Sequence, residues 1–171
     1  SFPTRRSSDL RYFTLSLDSL RPIATEVGRA ARIDVNARLM QMRATLGRML
    51  PLGMALRLQV VPQVCLPVHA GQQEFDAAIG ELAHNAIDAM PSGGEIRIIG
   101  EAEGPLVTIE ISDTGPGIPK EIRGQLFQPF ASHGKKNGVG LGLAMARQTA
   151  VDHGGDLARR CRGRGRASRR P

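Results

Sequence analysis

Apolar residues recur at helical spacing in two segments of the chain, residues 34–50 and residues 72–90. The apolar stripe of the first segment is Val35, Leu39, Met42, Leu46, Met49 and Leu50, and that of the second is Phe75, Ile79, Leu82, Ala86 and Met90. Asp34 is a residue type that caps helices, whereas Pro51 and Gly53 are types that end them. The pattern therefore predicts two amphipathic helices.

Short apolar or alternating runs predict the strands. These runs are residues 56–61, 64–68, 95–101 and 106–112. The last two are predicted to form a hairpin around Gly104 and Pro105, because turn residues separate them. Farther along, we predict a short helix over residues 119–126, a polar and basic loop over 131–139, and a final helix ending near His153.

The composition fits one domain with an aliphatic core, since the 171 residues include no Trp and few aromatic residues. The sequence has no run of about 18 apolar residues and no evident signal peptide. The two cysteines, Cys65 and Cys161, form no disulfide framework, which favours a reducing compartment.

The net charge of +7 is concentrated at the C-terminal end. Residues 158–171 contain seven arginines and no acidic residue, whereas residues 11–157 are close to neutral. We interpret this tail as the disordered product of a frameshift, because it has no hydrophobic period; the alternative is a basic tail that binds nucleic acid or anionic lipid. Residues 1–10 resemble the translation of a sequencing adapter and are excluded from fold reasoning.

The polar face of the second predicted helix carries Glu81, Asn85 and Asp88, at spacings of four and three. One interpretation is a solvated helix face. However, Asn is a poor residue for a helix interior, because its amide competes for backbone hydrogen bonds. A carboxylate and an amide oxygen one turn apart also suit a hydrated divalent cation.

The predicted strand over residues 106–112 ends at Asp113, which Gly115 and Gly117 follow. A plain turn is one explanation of this sequence. The other is a site for a flat heteroaromatic ligand, in which Asp113 accepts a hydrogen bond and the glycines let the ring approach.

Gly138, Gly140 and Gly142 alternate with Val139 and Leu141 where the final helix begins. Backbone N–H groups at the positive end of a helix form an anion site, although close packing of a helix on a sheet also explains such glycines. A Walker loop is excluded because no Gly-Lys-Ser/Thr follows, and a Rossmann turn because no strand immediately precedes the glycines.

Together, four motifs resemble those of the ATP-binding domain of bacterial sensor histidine kinases, within the wider GHKL ATPase superfamily. Residues 81–89 resemble the N box, 113–117 the first glycine box, 127–130 the F box and 138–142 the second glycine box. The resemblance covers residues 57–155. The helix over residues 34–50 also resembles the lead-in of nitrogen-regulator-type kinases.

The resemblance implies an α/β (α+β) two-layer sandwich, the Bergerat ATP-binding fold. Its mixed, mostly antiparallel sheet would be covered on one face by three helices. The domain would span residues 56–157, with residues 11–55 as a helical remnant leading into it. The last strands of the family are expected to be missing, because residues 158–171 replace them, and an exposed sheet edge would lower stability.

The resemblance also implies roles at the adenine end of a nucleotide site. Asp113 would bind the adenine amino group, and Gly115, Gly117 and Ile118 would shape the pocket. Residues 127–139 would form an ATP lid that Phe127 and Phe130 anchor.

At the phosphate end, the resemblance makes Asn85 the ligand of a Mg²⁺ ion that bridges the phosphates, and Glu81 a residue that orients water or acts as a base. The other expected nucleotide contacts are Asp88, Phe130, Gly138, Val139, Gly140, Leu141 and Gly142. Lys135 and Lys136 could reach the γ-phosphate, but a solvated loop charge is the favoured interpretation.

By this resemblance the chain is the ATP-binding catalytic domain of a two-component sensor histidine kinase, which transfers the γ-phosphate of Mg-ATP to a histidine. None of the four histidines, His69, His84, His133 and His153, lies in the phosphoacceptor context of the family. The acceptor is therefore expected in another segment or chain, and this fragment alone is not expected to autophosphorylate.

The expected partners are ATP, a phosphoacceptor-histidine dimerisation domain and a downstream response regulator. The parent protein is expected to be a homodimer, to bind no nucleic acid and to hold this domain in the cytoplasm, whether or not it is membrane-attached. The alternatives are a GHKL ATPase of the gyrase, chaperone or mismatch-repair kind, and a nucleotide-binding module without turnover.

Overall fold

The computed structural model describes residues 11–19, 31–60, 67–130 and 140–161. In chain order, its elements are β1 (Arg11–Asp18), β2 (Ala31–Asp34), α1 (Val35–Met49), β3 (Met54–Gln59), β4 (Pro67–Ala70), α2 (Gln72–Asp88), β5 (Gly94–Glu103), β6 (Leu106–Asp113), a 3₁₀ helix (Lys120–Gln125), α3 (Gly142–Asp152) and β7 (Asp156–Cys161).

Five strands form one mixed sheet in the order β3-β5-β6-β1-β7. β3 and β5 are parallel, and the other neighbours in this sheet are antiparallel. β2 and β4 form a separate antiparallel pair. The predicted mixed, mostly antiparallel sheet is confirmed.

The strand register places apolar side chains on one face of the sheet. Leu15 of β1 lies opposite Ile109 of β6 on one side and Leu157 of β7 on the other, and all three are fully buried or nearly so. α1 packs on β3, α2 on β5 and β6, and α3 on β1 and β7, and each helix contacts the next. The predicted layer of three helices on one face is therefore confirmed.

The two predicted amphipathic helices are present as α1 and α2. Every residue of the second predicted stripe is buried, as are the first four residues of the first stripe; Met49 and Leu50 are half-buried. Asp34 caps α1 as predicted, because its carboxylate accepts hydrogen bonds from the backbone N–H groups of Asn36 at 3.0 Å and Ala37 at 3.4 Å.

Element boundaries agree with the patterns to within a few residues in most cases. The hairpin of β5 and β6 turns at Gly104, whose φ of 59° is left-handed. The strand predicted over residues 56–61 is β3, whereas the one predicted over 64–68 is found at Pro67–Ala70; residues 61–66 lie outside the described part. The short helix predicted after Pro119 is a 3₁₀ helix.

The prediction of a helical remnant is wrong for residues 11–18, which form β1. Phe13, Leu15 and Leu17 alternate with polar residues there, so the strand can present one apolar face to the core. β1 lies between β6 and β7 and pairs with both of them.

The prediction that the last strands are missing is also wrong for one of them, because β7 follows α3 and pairs with β1. Residues 158–161, assigned from the sequence to a disordered tail, belong to β7. Residues 162–171 lie outside the described part. β1 pairs with β6 on one side and with β7 on the other.

Within the described ranges, no helix has both the length and the apolar character needed to cross a bilayer.

We predict that Gly47→Ala stabilises the fold by about 0.5–1 kcal/mol, since alanine loses less conformational entropy than glycine in a helix interior. Gly47 is exposed in α1, and a Cβ atom there would meet no neighbouring atom within 4 Å. Chemical denaturation should show a higher midpoint with an unchanged slope. A lower midpoint would mean that the surroundings of α1 are not as described.

Candidate functional site

Asp113 is the last residue of β6, and its side chain closes a tight turn. Its Oδ1 atom accepts a hydrogen bond of 2.8 Å from the backbone N–H of Gly115. A Cβ atom on Gly115 would lie 2.8 Å from that oxygen, 3.0 Å from Met90 Cγ and 3.2 Å from the carbonyl oxygen of Ala89. The turn is therefore packed against the end of α2, and a side chain at position 115 would displace the Asp113 carboxylate or Met90.

Thr114 fixes the same turn to β5. Its Oγ1 atom accepts a hydrogen bond of 3.0 Å from the backbone N–H of Glu95, and its own N–H donates to the carbonyl of Glu95 at 3.1 Å. The Thr114 hydroxyl also contacts the sulfur of Met90 at 3.4 Å. Asp113 is consequently held between two elements of the core.

Burial raises the pKa of Asp113 above its ordinary value of 3.8, and the hydrogen bond from Gly115 opposes that shift only in part. In the described part of the chain, Gly115 is the only residue that donates to this carboxylate. One carboxylate oxygen is thus committed to the turn, while the other can accept a hydrogen bond from a ligand.

Glu81, on the exposed side of α2, lies against the start of α3. A Cβ atom on Gly142, the first residue of α3, would be only 2.0 Å from Glu81 Oε2. Two motifs that are distant in the sequence therefore meet here, with the Glu81 carboxylate lying directly against the glycine that begins α3. Asn85, half-buried, and Asp88, exposed, follow Glu81 on the same helix face.

The first turn of α3 has no side-chain cap. Leu141 occupies the N-cap position, and its side chain makes no capping hydrogen bond. The first N–H groups of a helix have no partner within the helix, and they lie at its positive end. Gly140 precedes this turn with a left-handed φ of 72°, and its carbonyl accepts a 3.0 Å hydrogen bond from the N–H of Phe130.

The Asp113 turn and the start of α3 therefore lie at the two ends of one elongated candidate site along α2. Ala89, which contacts the turn, is about 12 Å along the helix from Glu81, at 1.5 Å per residue. Asn85 lies midway between them on the same helix. Such an arrangement suits a ligand with a hydrogen-bonding aromatic group at one end and an anionic group at the other.

The structure describes some of the remaining predicted site residues and not others. Gly117 has a φ of 79°, and the Ile118 carbonyl accepts a 3.1 Å hydrogen bond from Arg123 Nε. The prediction that Phe130 is an anchor is wrong, because its side chain is 73% exposed. Phe127, by contrast, is half-buried and packs against β1. Gly138, Val139, Lys135 and Lys136 lie outside the described residues.

The sequence interpretation missed two residues that contact the F box. Phe13 of β1 meets Phe127 edge to face, with ring centroids 6.2 Å apart, and the Arg147 guanidinium lies 5.2 Å from the Phe127 ring centroid. The alternation of Phe13, Leu15 and Leu17 was a signal that could have revealed β1. No local signal marks Arg147.

Two of the histidines have side chains that the structure describes. His84 is exposed on α2, and His153 is buried at the C-terminal end of α3, next to the carbonyl of Thr149. A buried imidazole cannot be reached by a phosphoryl donor. Among the described residues, no three His, Cys, Asp or Glu side chains are grouped as metal ligands.

The family model described as "Histidine kinase-, DNA gyrase B-, and HSP90-like ATPase" matches residues 71–169. The chain therefore belongs to this family of ATPases. Within it, the resemblance to sensor histidine kinase catalytic domains is confirmed by the relatives and solved structures that follow.

The curated relatives are sensor kinases. The chain is 36% identical over 86 residues to the alginate biosynthesis sensor protein KinB of Pseudomonas aeruginosa, covering 50% of this chain and 14% of KinB. It is 33% identical over 110 residues to the sensory histidine kinase/phosphatase NtrB of Escherichia coli O157:H7, covering 50% of this chain and 31% of NtrB. The chain thus spans less than a third of the length of either relative.

Solved structures show the same fold. The mycobacterial sensor histidine kinase MprB matches with a TM-score of 0.63 and 23% identity, covering 72% of this chain and 82% of that one. Full-length ShkA in complex with AMPPNP matches with a TM-score of 0.57 and 22% identity, covering 80% of this chain and 30% of that one. The predicted sandwich is that of histidine kinase catalytic domains.

Proposed function

We propose that this chain binds Mg-ATP along α2 and presents the γ-phosphate to a histidine supplied by another segment or chain. The observation that carries the proposal is the position of Asp113 and the start of α3 at opposite ends of one polar helix face. This spacing allows the adenine and the phosphates of one nucleotide to be bound at the same time.

At the adenine end, the uncommitted carboxylate oxygen of Asp113 would accept a hydrogen bond from the exocyclic amino group. Gly115 and Gly117 carry no side chain, so a flat ring can approach the backbone. Ile118, half-buried beside them, would contribute apolar contact. The fixed turn means that little ordering is needed when the base binds.

At the phosphate end, the N–H groups of Gly142 and its neighbours would bind phosphate oxygens, with Gly140 and Leu141 close by. The amide oxygen of Asn85 and the carboxylate of Glu81 are hard oxygen donors one helical turn apart, which fits Mg²⁺. When bound, the ion would neutralise charge on the phosphates. Asp88 would contact the nucleotide farther along the helix.

Transfer would then depend mainly on positioning. Glu81 would orient the incoming group or accept its proton, and Asn85 would hold the phosphates in register through the ion. The attacking histidine would come from a phosphoacceptor dimerisation domain, and a response regulator would receive the phosphoryl group. We place this chemistry in the cytoplasm, where ATP is available, and propose that the parent protein acts as a homodimer.

The test of this proposal is calorimetric titration of a non-hydrolysable ATP analogue into the 171-residue chain, with and without Mg²⁺. We expect binding that Mg²⁺ strengthens, and we expect Asn85→Ala to remove most of that strengthening, because Asn85 would be the protein ligand of the ion.

Gln73→Ala is the matched control, since Gln73 also carries an amide side chain and is exposed in the first turn of α2, about 18 Å along the helix from Asn85 at 1.5 Å per residue. This variant should bind the analogue as the unaltered chain does. Equal Mg²⁺ dependence in Asn85→Ala and the unaltered chain would contradict the assignment of Asn85.

A further inference from the structure

Phe127, the first residue of the F box, is enclosed by side chains from two separate elements. The ring of Phe13 in β1 meets it at an interplanar angle of 76°, and the guanidinium of Arg147 in α3 lies over its face. The edge-to-face and cation–π arrangements are the favourable geometries for these groups. Phe127 therefore has a defined position relative to both β1 and α3.

Arg147 is itself oriented by β7 and β1. Its Nε atom donates to Asp156 Oδ1 at 2.9 Å, and this bond lowers the pKa of Asp156. Ser16 of β1 and Asp156 exchange hydrogen bonds of 3.0 and 3.1 Å through the Ser16 hydroxyl. The Arg147–Asp156 pair is about half exposed, so it adds little to stability and acts chiefly to orient the guanidinium.

Three residues after Phe127, the chain reaches the nucleotide site. The N–H of Phe130 donates to the carbonyl of Gly140, which stands two residues before α3 begins. A shift of Phe127 would therefore move Phe130, strain its bond to Gly140 and displace the backbone that leads into the first turn of α3.

We propose that Phe13 is a positioning residue for the nucleotide site, acting through Phe127 and the Phe130–Gly140 hydrogen bond. This inference rests on the proposed function and extends it to β1, a strand outside the residues 71–169 that the family model matches. In this proposal Phe13 acts through Phe127 and makes no contact of its own with the nucleotide. It determines where the segment that precedes α3 lies.

The test combines two measurements on the full 171-residue chain. In Phe13→Leu, which keeps apolar bulk but removes the aromatic contact, we expect the affinity for the Mg²⁺ complex of a non-hydrolysable ATP analogue to fall about three- to tenfold. In the same variant, amide hydrogen exchange at Phe130, measured by NMR in the absence of nucleotide, should become faster. Phe13→Tyr should restore both values, because it keeps the ring.

Thr14→Ala is the control, because Thr14 is the next residue of β1 and points to the opposite face of the sheet. It should leave affinity and exchange unchanged. The double variant Phe13→Leu/Phe127→Leu should bind the nucleotide analogue no more weakly than Phe127→Leu alone, because both residues act through one contact.

A Phe13→Leu chain with lower stability but unchanged affinity and unchanged exchange at Phe130 would overturn the inference and leave the proposed function standing. Failure of the folded, unaltered chain to bind the nucleotide would contradict the proposed function and this inference together.

Discussion

Asp113→Asn is expected to weaken ATP binding by about 10- to 100-fold, which corresponds to the roughly 1.5–3 kcal/mol of a hydrogen bond to a charged group. In the variant, the amide oxygen would keep the hydrogen bond from Gly115. The amide NH₂ group would then face the adenine amino group, so a donor would meet a donor. Calorimetric titration of the Mg²⁺ complex of a non-hydrolysable ATP analogue measures the loss.

The same substitution is expected to stabilise the free protein at neutral pH. Because burial raises the pKa of Asp113, the folded chain holds this proton more tightly than the unfolded chain does. The stability that Asp113 contributes is therefore fully present below its ordinary pKa and declines as the pH rises through the raised value. Asparagine has no such charge to bury.

Thermal unfolding at a series of pH values would check this sign. The melting temperature of Asp113→Asn should exceed that of the unaltered chain at neutral pH, and the difference should shrink as the pH falls towards about 4. A variant that loses both stability and binding would indicate that Asp113 has a structural role, and would contradict its assignment as the adenine ligand.

Gly155→Ala is expected to destabilise the fold by about 3 kcal/mol or more, because it forces main-chain atoms apart. A Cβ atom on Gly155 would lie 1.6 Å from the carbonyl oxygen of Ser16 and 2.4 Å from its carbonyl carbon. Ser16 cannot easily yield, because β1 is paired on both sides. The approach of Gly155 to Ser16 is what allows β7 to follow α3 and pair with β1.

Chemical denaturation of Gly155→Ala measures this loss, and Gly47→Ala serves as the matched control for the same substitution in open space. The two variants should shift the midpoint in opposite directions. Unchanged stability of Gly155→Ala would mean that β1 does not occupy the position between β6 and β7.

The sequence predicted the elements whose signals are local. The stripes of α1 and α2 and the hairpin of β5 and β6 each lie within one continuous segment, so periodicity and turn residues were sufficient. The alternating residues of β1 were a local signal that was overlooked, whereas the pairing of β1 could not be predicted because its partners are far away in the sequence. Ser16 bonds to Asp156, 140 residues along the chain, and no pattern in the sequence encodes that pairing.

The individual residues of the candidate site could be predicted from the sequence, but the way in which the fold brings them together could not. Asp113, Asn85 and the glycines stood out because each is unusual for its local structure. The contact of Glu81 with Gly142 depends on how α2 packs against α3, which the motifs do not specify. Phe130 was wrongly taken as an anchor for the same reason, since the residue that packs on β1 is Phe127.

The decisive measurement is the amide hydrogen exchange of the 171-residue chain, detected by mass spectrometry. It is made with and without the Mg²⁺ complex of a non-hydrolysable ATP analogue. We expect slower exchange in three segments on addition of the nucleotide: the Glu81–Asp88 face of α2, the turn over residues 113–118, and the start of α3 from Gly140. A chain that circular dichroism shows to be folded, yet that gains no protection in these segments, would contradict an ATP site along α2.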